Sequence, residues 1–224
     1  MQSMQFADES SLYATVTGAA RFLFEGGSFS AEERAGLANW ILAHQNRQRG
    51  FIFHPTFDEM ATGIRLLSGE RPRTRLLAAN AVELETLRLL ALLQPEADRV
   101  QRIFQEADAR LAPLCFASVC TTGECAHASI AVLRYRMARD TVSAASSFSQ
   151  ALDALKADRR GDGRWRRFPF FFTLLWLVEL PADLARDELS YAAPACARVI
   201  GRSRPAGEPA SAVRETILCR AIRG

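Results

Sequence analysis

A short stretch of the chain holds four residues that can bind a metal ion. They are Cys115, Cys120, Cys125 and His127, with four residues between successive cysteines. Thiolate and imidazole are the ligands that zinc prefers, and a catalytic zinc site can use three of them together with a water molecule. The spacing is not that of a recognised zinc finger. The residues that would form a zinc site here are Cys120, Cys125 and His127, and no other cofactor is expected.

Two other interpretations of these cysteines stay open. Thr121 and Glu124 match a capping box, which would start a helix and place Cys120 and Cys125 at the two positions that touch in a hydrophobic staple. Cysteine packs as a small hydrophobic residue in such a contact. The two thiols could also form a redox pair. Because the cap places both cysteines where a staple needs them, the sequence favours packing.

Most of the positive charge lies on arginine, with 27 arginines and one lysine. Arg134, Tyr135 and Arg136 precede a second group of arginines between positions 159 and 167. Guanidinium groups bind phosphate through paired hydrogen bonds, so these residues could form a site for an anionic ligand such as a diphosphate-bearing isoprenoid. The alternative, which the sequence favours, is a solvated basic rim.

An aromatic segment follows the second group of arginines. Residues 168–180 are apolar almost all round, which is typical of the inner helix of a bundle. The segment could instead form the wall of a lipid-accepting cavity or a patch that contacts a membrane. Together with the basic residues it supplies the candidate ligand-binding set, which is Arg134, Tyr135, Arg164, Trp165, Arg167, Phe171 and Trp176.

The composition limits the classes to which the protein can belong. The chain has 224 residues, of which 49% are hydrophobic, so it can bury the core of one domain and is neither disordered nor collagen-like. The 28 basic and 25 acidic residues leave a net charge of +3, and the arginines are spread over several segments. Nucleic-acid binding is therefore not expected.

The sequence also bears on the cellular compartment. The residues after Met1 lack the basic patch and apolar core of a secretory signal peptide, so none is expected. The longest strongly apolar run has 13 residues, whereas a transmembrane helix needs about 20. Five cysteines are an odd number and fit reduced thiols. These features predict a cytoplasmic protein without a transmembrane span.

Helix signals recur along the whole chain. Capping boxes at Ser30–Glu33, Thr56–Glu59 and Thr121–Glu124 each predict a helix start. Further stretches of helical periodicity cover 9–24, 73–93, 96–112, 145–159, 169–180, 183–200 and 211–222. Pro194 is expected to kink or divide the helix in which it lies. No segment alternates as a strand does, so we predict an all-α fold of about ten helices.

A turn is repeated in the two halves of the chain. Residues 42–55 run from an apolar helix through a polar stretch to a glycine, an aromatic residue and a proline, and residues 155–169 do the same. The two glycines, Gly50 and Gly163, are 113 residues apart. Such repetition predicts helical pairs that bury their apolar faces against one another.

The second turn, which ends Asp162-Gly163-Arg164-Trp165, resembles the Gln-x-x-Asp-Gly-x-Trp turn of squalene cyclases and related terpene cyclases. The first turn is similar to the Gln…Gly-Phe turn of the β subunits of protein prenyltransferases, which belong to the same α/α-toroid superfamily. The resemblance implies helical hairpins arranged as a partial α/α toroid, with Trp165 filling the space between hairpins. Arg159 stands where the motif has glutamine.

The resemblance covers architecture more than chemistry. The sequence has neither the Asp-x-Asp-Asp run of squalene-hopene-type cyclases nor the Asp-x-Cys pair with which protein prenyltransferases hold zinc. We therefore expect a binding or scaffolding protein whose concave face takes an apolar small molecule or a partner helix. The alternative is an enzyme that acts on an isoprenoid substrate. Because the chain is short for a full toroid, we expect an open arc or a ring completed by a homodimer.

The expected domain organisation follows from the positions of glycine- and proline-rich stretches in the chain. Residues 1–200 form the helical-repeat domain, with halves at about 1–113 and 114–200. A linker over 201–211, rich in glycine and proline, precedes a C-terminal helix over 212–224. This last helix is expected to pack on the core of its own domain, with exchange between two chains as the alternative.

Overall fold

The computed structural model describes residues 10–140, 142, 144–201 and 209–223, and within these ranges the chain is all-α without a β-strand. A 3-10 helix, Cys115–Ser118, lies between α5 and α6. The ten α-helices are α1 (Leu12–Phe24), α2 (Ala31–Ala43), α3 (Phe57–Thr62), α4 (Arg75–Leu93), α5 (Asp98–Leu111), α6 (Cys125–Arg139), α7 (Ala145–Ala157), α8 (Phe170–Glu179), α9 (Ala182–Ile200) and α10 (Pro209–Arg223). The predicted all-α fold of about ten helices is confirmed.

Two of the three predicted capping boxes are present. The Ser30 hydroxyl accepts a hydrogen bond from the Glu33 amide, and the Glu33 carboxylate accepts one from the Ser30 amide, at the start of α2. Thr56 and Glu59 do the same at the start of α3. Both boxes form from neighbouring residues, so the local sequence is sufficient to specify them.

The third predicted capping box, at Thr121–Glu124, is wrong. α6 begins at Cys125, and Gly123 has a φ of 53°, which is incompatible with the first turn of a helix. The Glu124 carboxylate accepts a hydrogen bond of 2.5 Å from the hydroxyl of Thr74, the residue that caps α4. Since Cys125 is the first residue of α6, the predicted hydrophobic staple with Cys120 does not exist.

α4 lies at the centre of the helix packing. It contacts α1, α2, α5 and α6, and α6 is its most extensive partner. Contacts continue from α6 to α8 and from α8 to α10. Each even-numbered helix from α2 to α10 thus contacts the next even-numbered one, and their apolar side chains belong to one large core cluster.

α8 is the inner helix predicted from the aromatic segment, and its residues from Phe172 to Leu177 are buried. α9 continues without a break through Pro194, so the predicted division of this helix does not occur. Residues on both sides of the proline, Ala192 and Ala195, are buried against the rest of the domain. No helix among the described residues is both long and apolar enough to cross a lipid bilayer.

The end of the chain packs back on the domain. Residues 202–208, most of the predicted linker, lie outside the described residues, as do residues 1–9 of the predicted repeat domain. α10 begins earlier than predicted and contacts α8 and α9 of the same chain. Its side chains Val213, Ile217 and Leu218 are buried.

The two repeated turns share their backbone geometry. Gly50 and Gly163 have φ angles of 83° and 82°, and each lies within a turn closed by an isolated antiparallel β-bridge. A Cβ atom on Gly163 would lie 2.9 Å from the Cβ of Ala195, so only glycine fits against α9 at this point. Trp165 is buried between the second turn and α8 and α9, where it contacts the rings of Phe170 and Tyr191.

Candidate functional site

A strongly charged pocket of the described structure is lined by arginines. Its volume is about 490 Å³, and four separate segments form it: the loop between α3 and α4, the first turns of α6, the end of the second repeated turn, and α10. We call it the arginine pocket. Its basic side chains are Arg65, Arg71, Arg73, His127, Arg166, Arg167 and Arg214.

The loop between α3 and α4 has a defined shape in this pocket. The Tyr13 hydroxyl accepts a hydrogen bond of 2.8 Å from the Arg65 amide, and the Arg65 guanidinium donates to the Gly69 carbonyl at 3.2 Å. Gly69 has a φ of 78°, which closes the tight turn. Arg214 of α10 donates to the Ser68 carbonyl at 2.8 Å. These bonds place Arg65 and Arg214 at fixed positions on the pocket wall.

Among the described residues that line the arginine pocket, Glu70 is the only acidic one. Its carboxylate accepts hydrogen bonds from the Ser68 hydroxyl at 2.8 Å and from the Phe172 amide at 2.7 Å. Since α8 has no side-chain cap of its own, Glu70 supplies the missing acceptor at the N-terminus of that helix. Burial raises the pKa of Glu70 despite these hydrogen bonds and the nearby charge of Arg214. Glu70 is therefore engaged structurally, as the acceptor at the start of α8.

Several guanidinium groups of the pocket are free to bind a ligand. Among the described residues, the side chains of Arg71, Arg73 and Arg166 have no hydrogen-bond or ion-pair partner, and all three are exposed. Arg167 is also exposed, donates to the Thr121 hydroxyl at 3.2 Å and lies 3.8 Å from Asp158. The pocket thus has a large excess of positive charge, which attracts anions.

His127 contributes a titratable group to the same wall. Its Nδ1 atom is buried without a hydrogen-bond partner. Burial lowers the pKa of His127, and the charge of Arg73 acts in the same direction against the opposing effect of Glu124. His127 is thus neutral near pH 7 and gains a proton at acidic pH.

Arg134, a predicted ligand-binding residue, lies instead in the core. Its side chain is fully buried and binds the Glu179 carboxylate through two hydrogen bonds of 2.8 and 2.9 Å, and it also pairs with Glu85. Arg88 donates to the same two carboxylates at 2.8 and 3.1 Å. These four residues form a closed group with no net charge, which we call the ion cluster.

The charges of the ion cluster are held in their ionised forms. Burial alone would lower the pKa of Arg134, but the carboxylates of Glu179 and Glu85 raise it above its ordinary value. Burial alone would raise the pKa of Glu179, but the guanidinium groups of Arg134 and Arg88 lower it. The cluster joins α4, α6 and α8, and each of the three guanidinium nitrogen atoms of the buried Arg134 has a carboxylate partner within it.

The other predicted ligand-binding residues are not brought together. Tyr135, Trp165 and Trp176 are buried, and the Tyr135 hydroxyl donates to Asp108 at 3.2 Å. Arg164 is exposed and lies over the Phe170 ring. Only Arg167 lines the arginine pocket, while Phe171 supports it from behind through its contact with the Arg214 guanidinium.

The cysteine residues form a separate group next to the arginine pocket. The sulfur atoms of Cys115, Cys120 and Cys125 all lie within 4.8 Å of one another, and we call this group the thiol cluster. His127 is not a member, so the predicted ligand set of Cys120, Cys125 and His127 is not assembled. The reason is geometric, because residues two apart on a helix point to different faces, and His127 faces the pocket.

Comparisons of the chain with models of protein families, with curated proteins and with solved structures find no match. Inferences about function therefore rest on the geometry of the arginine pocket and the thiol cluster.

The sequence carried one signal for the pocket that our prediction missed. Four arginines lie between positions 65 and 75, in a stretch that Gly69 and Pro72 mark as a loop. A dense basic loop is a good candidate for an anion site. No local signal could have joined this loop to Arg214, which lies about 140 residues further along the chain.

Proposed function

We propose that this protein is a helical binding protein for a small molecule that carries several phosphate or other anionic groups, and that the arginine pocket is its binding site. The observation that carries the proposal is the convergence of six arginines on one cavity, three of them without a partner among the described residues. Guanidinium groups bind phosphate and carboxylate oxygens through directional, charge-assisted hydrogen bonds.

The size of the pocket favours a small ligand over a polymer. Pockets for small molecules have volumes of about 300–1,000 Å³, and the arginine pocket has about 490 Å³. Nucleic-acid binding would favour a basic stripe along an extended surface, whereas these charges are gathered in one concave site. The proposal therefore takes up the anionic ligand that the sequence left as the less favoured possibility, and it assigns that ligand to a set of residues that shares only Arg167 with the predicted one.

The proposal is tested by calorimetric titration of the full chain with inorganic pyrophosphate and with ATP. The double variant Arg71→Gln, Arg166→Gln should weaken binding of each probe by about tenfold or more, because charge-assisted hydrogen bonds contribute about 1.5–3 kcal/mol each. The matched control is Arg99→Gln, Arg102→Gln, which removes the same charge from exposed positions on α5. Equal weakening by both double variants, or no weakening by the first, would refute the proposal.

The architecture proposed for this function is a helical repeat of the α/α-toroid type. Support comes from the repeated turns, in which Gly50 and Gly163 have the same positive φ, and from the contacts between helices two apart in the chain. A buried glutamate also accepts hydrogen bonds from each turn. Glu83 of α4 accepts from the amides of Ile52 and Phe53, and Glu188 of α9 accepts from the Trp165 indole.

An apolar ligand, the function expected from the sequence, is a second candidate because a different pocket favours it. This pocket has about 380 Å³ and lies between the end of α1, the start of α2, the end of α4 and α10. Leu23, Phe29 and Leu92 form its apolar wall, and Arg34 and Arg220 lie among them. Such a lining suits an apolar chain with an acidic head group.

Dodecanoate is a direct probe of this second pocket. Leu92 lines the pocket and is 39% exposed, and Leu184 of α9 is equally exposed elsewhere on the surface. Leu92→Asp should abolish dodecanoate binding measured by calorimetry, and Leu184→Asp should leave it unchanged. Binding that survives Leu92→Asp would remove this candidate without affecting the proposal for the arginine pocket.

A further inference from the structure

Three thiol groups meet where the 3-10 helix leads into α6. Cys115 is the first residue of the 3-10 helix, Cys120 lies in the loop that follows, and Cys125 is the first residue of α6. Cys115 is exposed and the other two are half-buried. None of the three is paired in a disulfide, and the Cys115 and Cys125 sulfur atoms are 3.5 Å apart.

The arrangement of the sulfur atoms matches three corners of a tetrahedral metal site. With zinc–sulfur bonds of about 2.3 Å, two thiolates on one zinc ion lie about 3.8 Å apart. The three sulfur atoms of the cluster are all within 4.8 Å of one another, so small side-chain movements would bring each within bonding distance of one central ion. No fourth histidine, cysteine or carboxylate of the described residues joins this group.

The loop that carries Cys120 is held in place by a buried serine. The Cys120 amide donates to the Ser129 hydroxyl oxygen at 3.0 Å, and that hydroxyl faces the carbonyl oxygens of Phe116 and Cys120 at 3.1 and 3.2 Å. Val119, just before Cys120, has a φ of 58°. A β-branched residue adopts this left-handed conformation only where its surroundings enforce it, and such conformations cluster at functional sites.

The surroundings of Cys120 and Cys125 shift the pKa values of these two thiols in opposite directions. The N-terminus of α6 has no side-chain cap and directs its positive end towards Cys125, its first residue. The Thr122 amide donates to the Cys120 sulfur at 3.5 Å and lowers the pKa of Cys120. Burial, together with the neighbouring Cys115 thiol, raises the pKa of Cys125 to about 12. A bound cation would nevertheless stabilise the thiolate form of Cys125, because metal binding releases the thiol protons.

We propose that Cys115, Cys120 and Cys125 bind one zinc ion as three thiolates, with the fourth coordination position open to water or to an exogenous anion. Binding transfers three thiol protons to solvent and changes no oxidation state. Three protein ligands and an open position are the arrangement of a catalytic type of zinc site, whereas structural sites use four. The proposal is independent of the ligand of the arginine pocket, since it rests on other side chains.

The test is a titration of the reduced, metal-free full chain with Zn²⁺ against a chromophoric chelator, and a parallel titration with Co²⁺ followed by absorption spectroscopy. We expect one equivalent of either ion to bind, and the cobalt form to show thiolate-to-cobalt charge-transfer bands. Cys115→Ser should weaken zinc binding by more than about a hundredfold, because loss of even an outer-shell partner weakens metal binding by about 10–100-fold. Cys115 is exposed, so this variant should fold, which circular dichroism can verify.

Cys219→Ser on α10 is the matched control, because Cys219 is a free, half-buried thiol outside the thiol cluster. It should bind zinc as the unchanged chain does. Reduced protein that takes up no zinc, or zinc binding that Cys115→Ser leaves unchanged, would overturn the proposal. A disulfide between Cys115 and Cys125 in protein that binds no zinc after reduction would also overturn it and assign the cluster to thiol–disulfide chemistry.

Discussion

The ion cluster and the arginine pocket use the same side chain in opposite ways. In the ion cluster, two arginines meet two carboxylates, every charge is paired, and Arg134 is fully buried. In the arginine pocket, six arginines face one carboxylate, which caps a helix, and several guanidinium groups are exposed and unpaired within the described structure. Each group includes a residue of α6, Arg134 in the ion cluster and His127 in the arginine pocket.

The pairing of the arginine side chains, more than their number, distinguishes a structural role from a binding role. A buried, fully paired arginine is tied to its partners, and breaking the pair leaves an uncompensated charge in the core. A cluster of unpaired arginines repels itself and therefore destabilises the folded state slightly unless an anion binds. The following predictions test this distinction.

The largest effect is expected for Arg134→Met. The substitution leaves Glu85 and Glu179 with Arg88 as their remaining partner in the cluster, and the loss of one partner of a buried pair lowers the free energy of unfolding by about 3–5 kcal/mol. Denaturant unfolding measures the change. Arg71→Gln in the pocket should change the same quantity by less than about 0.5 kcal/mol. Equal losses of unfolding free energy in the two variants would contradict the distinction between paired and unpaired arginines.

A graded series of ion pairs sharpens the comparison. Glu83 is completely buried and pairs with Arg110 at 2.7 Å, but it also accepts from the amides of Ile52 and Phe53. Because these two bonds remain, Arg110→Met should lower the free energy of unfolding by about 2 kcal/mol, less than Arg134→Met. Arg47→Gln, at a pair whose side chains are each half exposed, should cost at most about 1 kcal/mol. A reversed order in the measured unfolding free energies would contradict the dependence on burial.

The two regions should also respond to pH with opposite signs. The pKa of Glu179 is lowered in the folded state, so it stabilises the fold above its unfolded pKa, near 4.5, and this contribution is lost as the pH falls through the folded value. The pKa of Glu70 is raised, so its contribution is present at low pH and is lost as the pH rises through the folded value. Glu179→Gln and Glu70→Gln should therefore change the slope of the free energy of unfolding against pH in opposite directions. Each change should correspond to a difference of at most about one bound proton between the folded and unfolded states. The same sign of change in both would contradict the assignment.

The smallest effect concerns ligand affinity. Protonation of Glu70 and His127 makes the arginine pocket more positive, so an anion whose own charge is constant should bind more tightly as the pH falls. Naphthalene trisulfonate is a suitable probe, and calorimetry at each pH measures its affinity. Glu70→Gln should remove the change in probe affinity with pH that Glu70 causes, and it should leave the change that His127 causes. A profile that Glu70→Gln does not alter would show that Glu70 does not titrate in the pocket.

The sequence predicted those features that neighbouring residues determine. The capping boxes at Ser30 and Thr56 are correct because both partners lie within one turn of helix. The box at Thr121 is wrong because Thr74, 50 residues away in the chain, holds the Glu124 carboxylate. The correct helices thus reflect local periodicity, and the incorrect helix start reflects a tertiary hydrogen bond.

The candidate site was predicted less well for the same physical reason. The charge of Arg134 is visible in the sequence, but its partners Glu85 and Glu179 are 49 and 45 residues away, so its burial is not. Cys120 and Cys125 were correctly chosen as neighbours, whereas the third member proved to be Cys115 in place of His127. The direction in which a side chain leaves its helix decides such cases, and spacing alone does not give it.

The packing of α10 has a consequence for the synthesis of the protein. Arg220 donates to the carbonyl oxygen of Phe24 at the end of α1, across 196 residues of chain. At typical rates of translation, roughly 10 to 40 s separate the synthesis of these two partners. From the completion of α9 until α10 is made, the apolar surface of α8 and α9 that α10 later covers is open to solvent. The nascent chain therefore presents an aggregation-prone apolar surface until α10 leaves the ribosome and packs on α8 and α9.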